Sequence, residues 1–207
     1  MPHPGLIVLR RATRELAVAV LDLIAQRTCA ACGALATSAL CGACESVLER
    51  RPRPACPRCG EAVLAPGAAC PADHDWLRGI AALHAPWRYR GAAGAIVRRF
   101  KFEGDAAAGD ALVRGLADAL RGAATGVVRR ALVVPVPMHR RARRARGFDQ
   151  AERLAIGVAH ELGLSFGGGV LRRSRATLSQ TDPRVTSREQ NVAGPSSWRG
   201  RQSSAAG

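Results

Sequence analysis

The chain has 207 residues, 47% of them hydrophobic, which is enough for one good core and a small additional module and excludes a wholly disordered chain. The net charge of +15 favours anionic partners, although Lys101 is the single lysine among 31 basic residues, so part of the excess reflects an arginine-rich composition. Residues 129–148 alone carry +7 of this charge, which predicts a localised anion site.

The N-terminal segment, residues 1–28, contains the apolar run LAVAVLDLIA from Leu16, which we expect to form a short helix packed on the core. The run is about half as long as a membrane span and contains Asp22, so it does not predict an anchor. We recognise no signal peptide, and we therefore expect no membrane span and a location in the cytoplasm.

Residues 29–78 contain all seven cysteines, and six of them form three C-x-x-C pairs. An odd number of cysteines without an export signal argues against disulfides, whereas two residues between thiolates let one tight turn present both to a tetrahedral zinc ion. Glycine follows the second cysteine of two pairs, at Gly33 and Gly60, where a positive φ helps the backbone to turn around the sulfur.

The pairs predict one complete zinc site and leave a second one open. The complete set has four cysteines: Cys29, Cys32, Cys41 and Cys44. The second set contains Cys56, Cys59 and Cys70, and its fourth ligand is either His74 or Asp73. We expect this module to be structural and to fold with metal, because it has little apolar content of its own. No βαβ pattern precedes the pairs, which disfavours a redox role.

From residue 79 apolar strands alternate with segments of helical period, which predicts an α/β domain over 79–194. We expect strands in 80–91 and in ALVVPVP at 131–137, the second of the buried parallel type. Helices are expected in 92–105, 106–122 and 149–163, the last with Asp149 as N-cap, Glu152 in the capping-box position and Gly163 as terminator. The buried faces are expected to present five apolar residues: Ile96, Phe100, Leu112, Leu116 and Leu120.

The arginine-rich stretch from Pro135 to Arg146 follows the second strand, and in parallel sheets ligands bind outside the carboxyl ends of the strands. The planar fork of arginine matches phosphate oxygens, and the amides of a tight loop add donors. We therefore expect a basic loop that faces a phosphate group. A solvated basic loop is the alternative that the biased composition leaves open.

Three segments, together with the cysteine pairs, resemble the ComF family: YRGAAGAIVRRFKFEGD, VVPVPMHRRARRARGFDQAERLA and RATLSQTDPRVTSREQNVAG. The resemblance covers most of residues 15–194. It implies an α/β protein in which a small zinc-ribbon module precedes an incomplete type I phosphoribosyltransferase-like parallel sheet with flanking helices. It also implies binding of 5-phosphoribosyl 1-diphosphate with Mg²⁺ and a link to DNA uptake in natural transformation.

Carried over residue by residue, the resemblance implies seven diphosphate-binding residues: Lys101, His139, Arg140, Arg141, Arg143, Arg144 and Arg146. It implies a mobile segment over the site with four matching residues: Thr177, Gln180, Arg188 and Asn191. Two positions depart from the family pattern, since Asp149 stands where asparagine is usual and Ala142 where an arginine is common.

A larger departure follows Gly194. The family continues there with an apolar strand and a VDDV-TTGAT-like loop that holds the ribose hydroxyls and the 5-phosphate, whereas this sequence has PSSWRGRQSSAAG and contains neither Asp-Asp nor Thr-Thr-Gly. We therefore expect weak binding, little or no ribosyl transfer and an open edge on the strand at 131–137. Our hypothesis is a truncation by frameshift or assembly error, with 195–207 as a disordered or out-of-frame tail; a naturally short chain is the alternative.

The alternative function is a zinc-ribbon nucleic-acid adaptor of the DNA-uptake machinery, with single-stranded DNA or DNA-uptake proteins as partners. Single-strand binders combine basic grooves with aromatic platforms. Only 4% of these residues are aromatic, and Phe148 is the one aromatic residue within the basic stretch. This scarcity favours a small-molecule phosphate. Whether the protein is an enzyme stays open, with phosphoribosyl transfer as the activity of a complete site.

Overall fold

The structure is a computed structural model that describes residues 27–122 and 131–177, positions 183, 185, 187 and 190, and residues 196–198. The helix expected near the N-terminus lies outside the described residues, apart from the last two positions of its segment. Helices and strands follow in chain order: α1 (Gly42–Ser46), a 3₁₀ turn (Asp75–Leu77), α2 (Gly91–Arg98), a π-helical turn (Arg99–Glu103), α3 (Ala106–Gly122), β1 (Leu132–Val133), α4 (Arg140–Arg146), α5 (Gln150–Leu162), β2 (Ser165–Phe166), β3 (Leu171–Arg173) and β4 (Ser196–Trp198).

The three helices predicted between residues 92 and 163 are confirmed as α2 with its π-helical turn, α3 and α5. The carboxylate of Asp149 accepts hydrogen bonds from the amides of Ala151 and Glu152, and α5 ends at Gly163 in the left-handed conformation. Ile96, Phe100 and Leu112 are buried as expected. The other two apolar residues of α3, Leu116 and Leu120, are half-buried.

A small parallel sheet forms where the apolar segment at 131–137 predicted one. β1 pairs in parallel with β2, so that Leu132 lies opposite Ser165 and Val133 opposite Phe166, and α5 packs on both strands. The prediction of a strand buried on both faces is wrong, since Leu132 is 48% exposed and Val136 is 64% exposed. Among the described residues β1 has β2 as its only paired strand, which leaves much of its apolar surface in water.

Two further expectations differ from the structure. Residues 80–91 form no strand beyond one bridge between Arg50 and Trp87, because Pro86 and Trp87 pack directly against Gly115 of α3. Three residues of the expected tail form β4, which pairs antiparallel with β3. The domain boundaries stay a prediction.

The core joins the first cysteine turn to the helices. Buried residues of that turn and its flank share one apolar cluster with α2, the π-helical turn and α3: Cys29, Ala30, Ala31, Leu40, Leu48, Ile96, Phe100 and Leu112. Complete burial of a side chain such as Ile96 or Phe100 stabilises the fold by about 1.5–3 kcal/mol. A separate, smaller cluster contains Cys56, Cys59 and Leu77.

The described helices are too short or too polar to cross a membrane. Within residues 27–122 and 131–177, no helix combines the length and the apolar character that crossing a bilayer requires. The apolar run from Leu16 lies outside the described residues.

Candidate metal centres and basic surface

The first cysteine set converges on one point. The sulfurs of Cys29, Cys32, Cys41 and Cys44 all lie within 4.8 Å of one another. The Sγ atoms of Cys32 and Cys41 are 3.8 Å apart, and the Cys41 amide donates to Cys29 Sγ over 3.3 Å. A tetrahedron with zinc–sulfur bonds of about 2.3 Å has edges of about 3.8 Å. The set therefore has the spacing that a tetrahedral zinc ion requires, and all seven cysteines are free thiols.

The electrostatics of this set also fit a cation. Burial disfavours the Cys29 thiolate, yet hydrogen bonds from the Cys32 and Cys41 amides outweigh it and lower the pKa of that thiol to about 6. Burial, together with hydrogen bonds that the Cys44 thiol donates to neighbouring cysteines and the charge of Cys29, raises the pKa of Cys44 to about 12. One thiolate therefore opposes the ionisation of the next, and a divalent cation removes this conflict.

The second set is completed by His74. The sulfurs of Cys56, Cys59 and Cys70 and a ring nitrogen of His74 all lie within 4.8 Å of one another. Cys56 Sγ is 3.6 Å from His74 Nε2, and Cys59 Sγ is 3.6 Å from Cys70 Sγ. The other candidate, Asp73, instead accepts a hydrogen bond from the Asp75 amide over 2.9 Å. The alternative left open by the sequence is thus resolved in favour of three sulfurs and one imidazole.

Thiol acidity in the second set follows the pattern of the first. A hydrogen bond from the Cys59 amide is the largest of the effects that lower the pKa of Cys56 to about 6. The pKa of Cys70 is raised: the Ala72 amide favours its thiolate, but burial, Cys59 and the charge of Cys56 together prevail. Each set therefore contains one thiol whose pKa is lowered and one thiol whose pKa is raised.

The arginine-rich stretch is the helix α4, and the expectation of a loop is wrong. Arginine and alanine are strong helix formers, and RRARRAR contains nothing else. His139 caps the helix by accepting a hydrogen bond from the Arg141 amide over 3.3 Å, and Gly147 ends it with a φ of 83°. All five arginines are exposed to solvent.

The structure brings Lys101, from the π-helical turn, to the end of α4. Lys101 Nζ lies 5.4 Å from the ring centroid of Phe102, and Arg146 Cζ lies 6.0 Å from the same centroid. Gln150 connects the two segments, because its Nε2 donates to the Lys101 carbonyl over 2.6 Å while its Oε1 accepts from Arg146 Nη1 over 3.2 Å. Arg143 instead forms an ion pair with Glu152, with 3.3 Å between Nη2 and Oε2.

The residues predicted to cover the site are described only in part. Thr177 accepts a hydrogen bond from Arg173, whereas Gln180, Arg188 and Asn191 lie outside the described residues. A groove of about 360 Å³ lies between α3 and α5, with Asp110, Arg153 and His160 in its wall, and none of the residues predicted to bind diphosphate lines it.

Sequence reasoning missed three residues of this region: Arg99, Phe102 and Gln150. A signal for Phe102 was present, since Phe100 and Phe102 are two positions apart and cannot face the same side of a helix. Phe100 is buried and meets Phe148 with ring centroids 5.7 Å apart, so Phe102 faces solvent. Arg99 also lies against Gly33, and Gln150 donates to the Lys101 carbonyl; no local pattern marks these two long-range contacts.

Together, the folded turns and the two converging ligand sets define a zinc-ribbon-like cysteine module with two candidate metal sites. Residues 20–72 match the family model of the double zinc ribbon domain. The chain therefore contains such a domain, and His74 lies just beyond the matched residues. Neither the curated proteins nor the solved structures yield a match to the chain.

Proposed function

We propose that this chain is a ComF-like protein in which two structural zinc ions support a surface that binds 5-phosphoribosyl 1-diphosphate. The supporting observation is the meeting of Lys101 with α4. The resemblance to the family assigns both segments to diphosphate, and their cations Lys101 and Arg146 lie on one aromatic ring. Two segments far apart in the sequence thus contribute to one basic surface.

The charges of this surface complement a diphosphate. The five arginines of α4 are exposed, as is Lys101 beside the end of that helix, and the guanidinium fork suits paired phosphate oxygens. Mg²⁺ arrives with the ligand in this proposal, because it bridges diphosphate oxygens and keeps most of its water shell. The phosphoribosyltransferase-like fold belongs to the same proposal, supported by the parallel pair of β1 and β2 under α5.

The proposal concerns binding and includes no transfer step, because the acidic pair and the Thr-Thr-Gly loop that would hold the ribose are not among these 207 residues. We place the protein in the cytoplasm, where a reducing environment keeps zinc thiolates available to the metal. A role in DNA uptake during natural transformation is the further part of the proposal that rests on the resemblance.

The proposal is tested by calorimetric titration of the zinc-loaded full chain with 5-phosphoribosyl 1-diphosphate and Mg²⁺, beside ribose 5-phosphate. We expect Lys101→Gln to weaken binding by about ten-fold, the effect of losing one charged hydrogen bond. Arg114→Gln is the matched control, since it removes one exposed positive charge from α3. The proposal fails if the wild-type chain does not bind, or if the two variants bind equally well.

A zinc-ribbon nucleic-acid adaptor is the second candidate. It is favoured by the form of the basic surface, because an exposed arginine helix also fits a phosphate backbone. Fluorescence anisotropy with a labelled single-stranded oligonucleotide, over a series of salt concentrations, distinguishes the two candidate functions. Tight, steeply salt-dependent binding of DNA without binding of 5-phosphoribosyl 1-diphosphate would select the adaptor and its partners in DNA uptake.

A further inference from the structure

Cys32 is the most exposed of the eight candidate zinc ligands. It is open to solvent, whereas Cys29 of the same set is fully buried and Cys41 and Cys44 are half-buried. In the second set, two ligands are buried and two are half-buried. A dissolved oxidant therefore reaches Cys32 more readily than any other sulfur of the two sets.

A second thiol lies beside Cys32. The Sγ atoms of Cys32 and Cys41 are 3.8 Å apart, and the two residues come from different segments, because Cys32 ends the first C-x-x-C pair and Cys41 directly precedes α1. Cysteines that respond to oxidants combine exposure with a neighbouring thiol that converts the first oxidation product into a disulfide. Cys29 is less suited to this role, since it is fully buried and its sulfur accepts a hydrogen bond from the Cys41 amide.

The first cysteine turn also contacts the helical part of the fold. Gly33, the residue after Cys32, lies against the guanidinium of Arg99 in the π-helical turn. Cys29 and Ala30 belong to the same apolar cluster as Ile96 of α2. A chemical change at this turn therefore affects residues that pack on the helices.

We propose that Cys32 is an oxidation site for peroxides and that Cys41 is its resolving partner. Bound zinc keeps its sulfur ligands deprotonated, and the thiolate is the form that reacts. The Cys32 thiolate attacks hydrogen peroxide, so that an S–O bond forms, the O–O bond breaks and hydroxide leaves. The Cys41 thiolate then attacks the sulfur of this sulfenic acid, an S–S bond forms and a second hydroxide leaves. The two sulfurs together lose two electrons, which the peroxide gains.

Release of zinc from the first set follows from this step. The disulfide removes two of the four ligands, and the two that remain, Cys29 and Cys44, do not complete a tetrahedral site. A dithiol reductant reverses the oxidation by thiol–disulfide exchange. The inference goes beyond the proposed function, because it concerns the metal set and involves no phosphate ligand.

The test treats the zinc-loaded full chain with hydrogen peroxide and follows the released zinc with a chromophoric chelator. We expect the loss of one of two zinc ions and a disulfide between Cys32 and Cys41, located by mass mapping of peptides after alkylation of the free thiols. Dithiothreitol and added zinc should restore the original zinc content. A disulfide that omits Cys32, or earlier release from the second set, would overturn the proposal. A disulfide between Cys29 and Cys32 would overturn the role of Cys41.

Two histidine variants distinguish this oxidation site from a general sensitivity of the first set. Cys32→His removes the exposed thiol and keeps four ligands, three sulfurs and one imidazole, as in the second set. Cys44→His has the same ligand chemistry but keeps Cys32 beside Cys41, so it is the matched control. Peroxide should release the first zinc ion from Cys44→His and leave it bound in Cys32→His.

Metal analysis before treatment establishes that both histidine variants hold two zinc ions. Equal release from the two loaded variants means that Cys32 is not the oxidation site. If either variant holds a single zinc ion, the position of the disulfide in the wild-type chain decides the matter.

Discussion

The two cysteine turns share one local design and differ in what holds them. In each, the glycine after the second cysteine has a positive φ, 77° at Gly33 and 73° at Gly60, and its amide donates to the carbonyl of the first cysteine over 2.8 Å. A guanidinium lies against each glycine. At Gly60 it belongs to Arg51, which donates to the nearby Cys59 carbonyl, whereas at Gly33 it belongs to Arg99 of the π-helical turn.

Because of this difference, we expect metal loss at the two sets to destabilise different parts of the fold. Arg99 forms an ion pair with Asp105, which caps α3 by accepting from the Ala108 amide over 2.8 Å. The first turn also packs in the main core, while the second packs mainly on Leu77. We therefore expect zinc at the first set to stabilise the helical part of the fold and zinc at the second set to stabilise a local loop.

The largest effect is expected from Cys29→Ser. Cys29 is fully buried in the main cluster, and a structural zinc ion contributes about 10–16 kcal/mol of folding free energy in small zinc modules, which exceeds the stability of most domains. We expect zinc content to fall and the helical circular dichroism signal to be lost together. Cys56→Ser is the matched control and should lose one zinc ion with the helical signal retained. Equal loss of helix in both variants would remove the distinction between the turns.

The next effect concerns the fourth ligand of the second set. His74→Asn should weaken zinc binding there by more than the 10–100-fold that loss of an outer-shell partner typically costs. The neighbouring Asp73→Asn is the control, because an asparagine oxygen can still accept from the Asp75 amide. Transfer of zinc to a chromophoric chelator measures the zinc affinity of both variants. A larger loss in Asp73→Asn than in His74→Asn would reverse the assignment.

Arg99→Met should destabilise the fold by about 2 kcal/mol, because it leaves the half-buried Asp105 carboxylate without its charged partner. Burial opposes that carboxylate, but the Ala108 amide and the Arg99 guanidinium prevail and hold the pKa of Asp105 below its ordinary 3.8. Because its pKa is lower in the folded than in the unfolded state, the Asp105 carboxylate stabilises the fold above pH 3.8. This contribution is lost as the pH falls through the pKa of the folded state, so it is fully present at pH 7.

Urea unfolding at pH 7 with zinc present measures this loss. Arg51→Met is the matched control and should cost about 1 kcal/mol, because it removes hydrogen bonds to a single backbone carbonyl. If both methionine variants are equally stable, Arg99 does not connect the first turn to the helices.

The smallest effects are expected from Gly33→Ala and Gly60→Ala. Each places a Cβ in the left-handed region at a cost of about 1–2 kcal/mol, and each Cβ would meet the end of a movable arginine, at 2.8 Å from Arg99 Nη1 and 2.7 Å from Arg51 Cζ. Gly33→Ala should cost less in the Arg99→Met background, which makes the pair non-additive. Strict additivity in urea unfolding would show that Arg99 does not rest on the first turn.

Local patterns predicted well wherever neighbours in sequence supply the interaction. The caps of α5, Asp149 and Gly163, act within one turn of the helix, and the C-x-x-C spacing places two sulfurs on one backbone turn. The expectation of a loop at α4 failed for a local reason, because it gave less importance to the helix propensity of arginine and alanine than to the position of the stretch after a predicted strand. The strand expected in 80–91 failed because Trp87 packs onto α3 instead of joining a sheet.

The sequence by itself determined the cysteine ligands, the helices α2, α3 and α5 and the concentration of charge before α5, since each follows from spacing, capping or composition along the chain. Only the tertiary structure decided that His74 and not Asp73 completes the second set, that Arg99 lies on the first turn, and that Lys101 meets Arg146 on Phe102. These are distances through space between segments far apart in sequence. They depend on how the helices pack, and no local pattern in the chain encodes that packing.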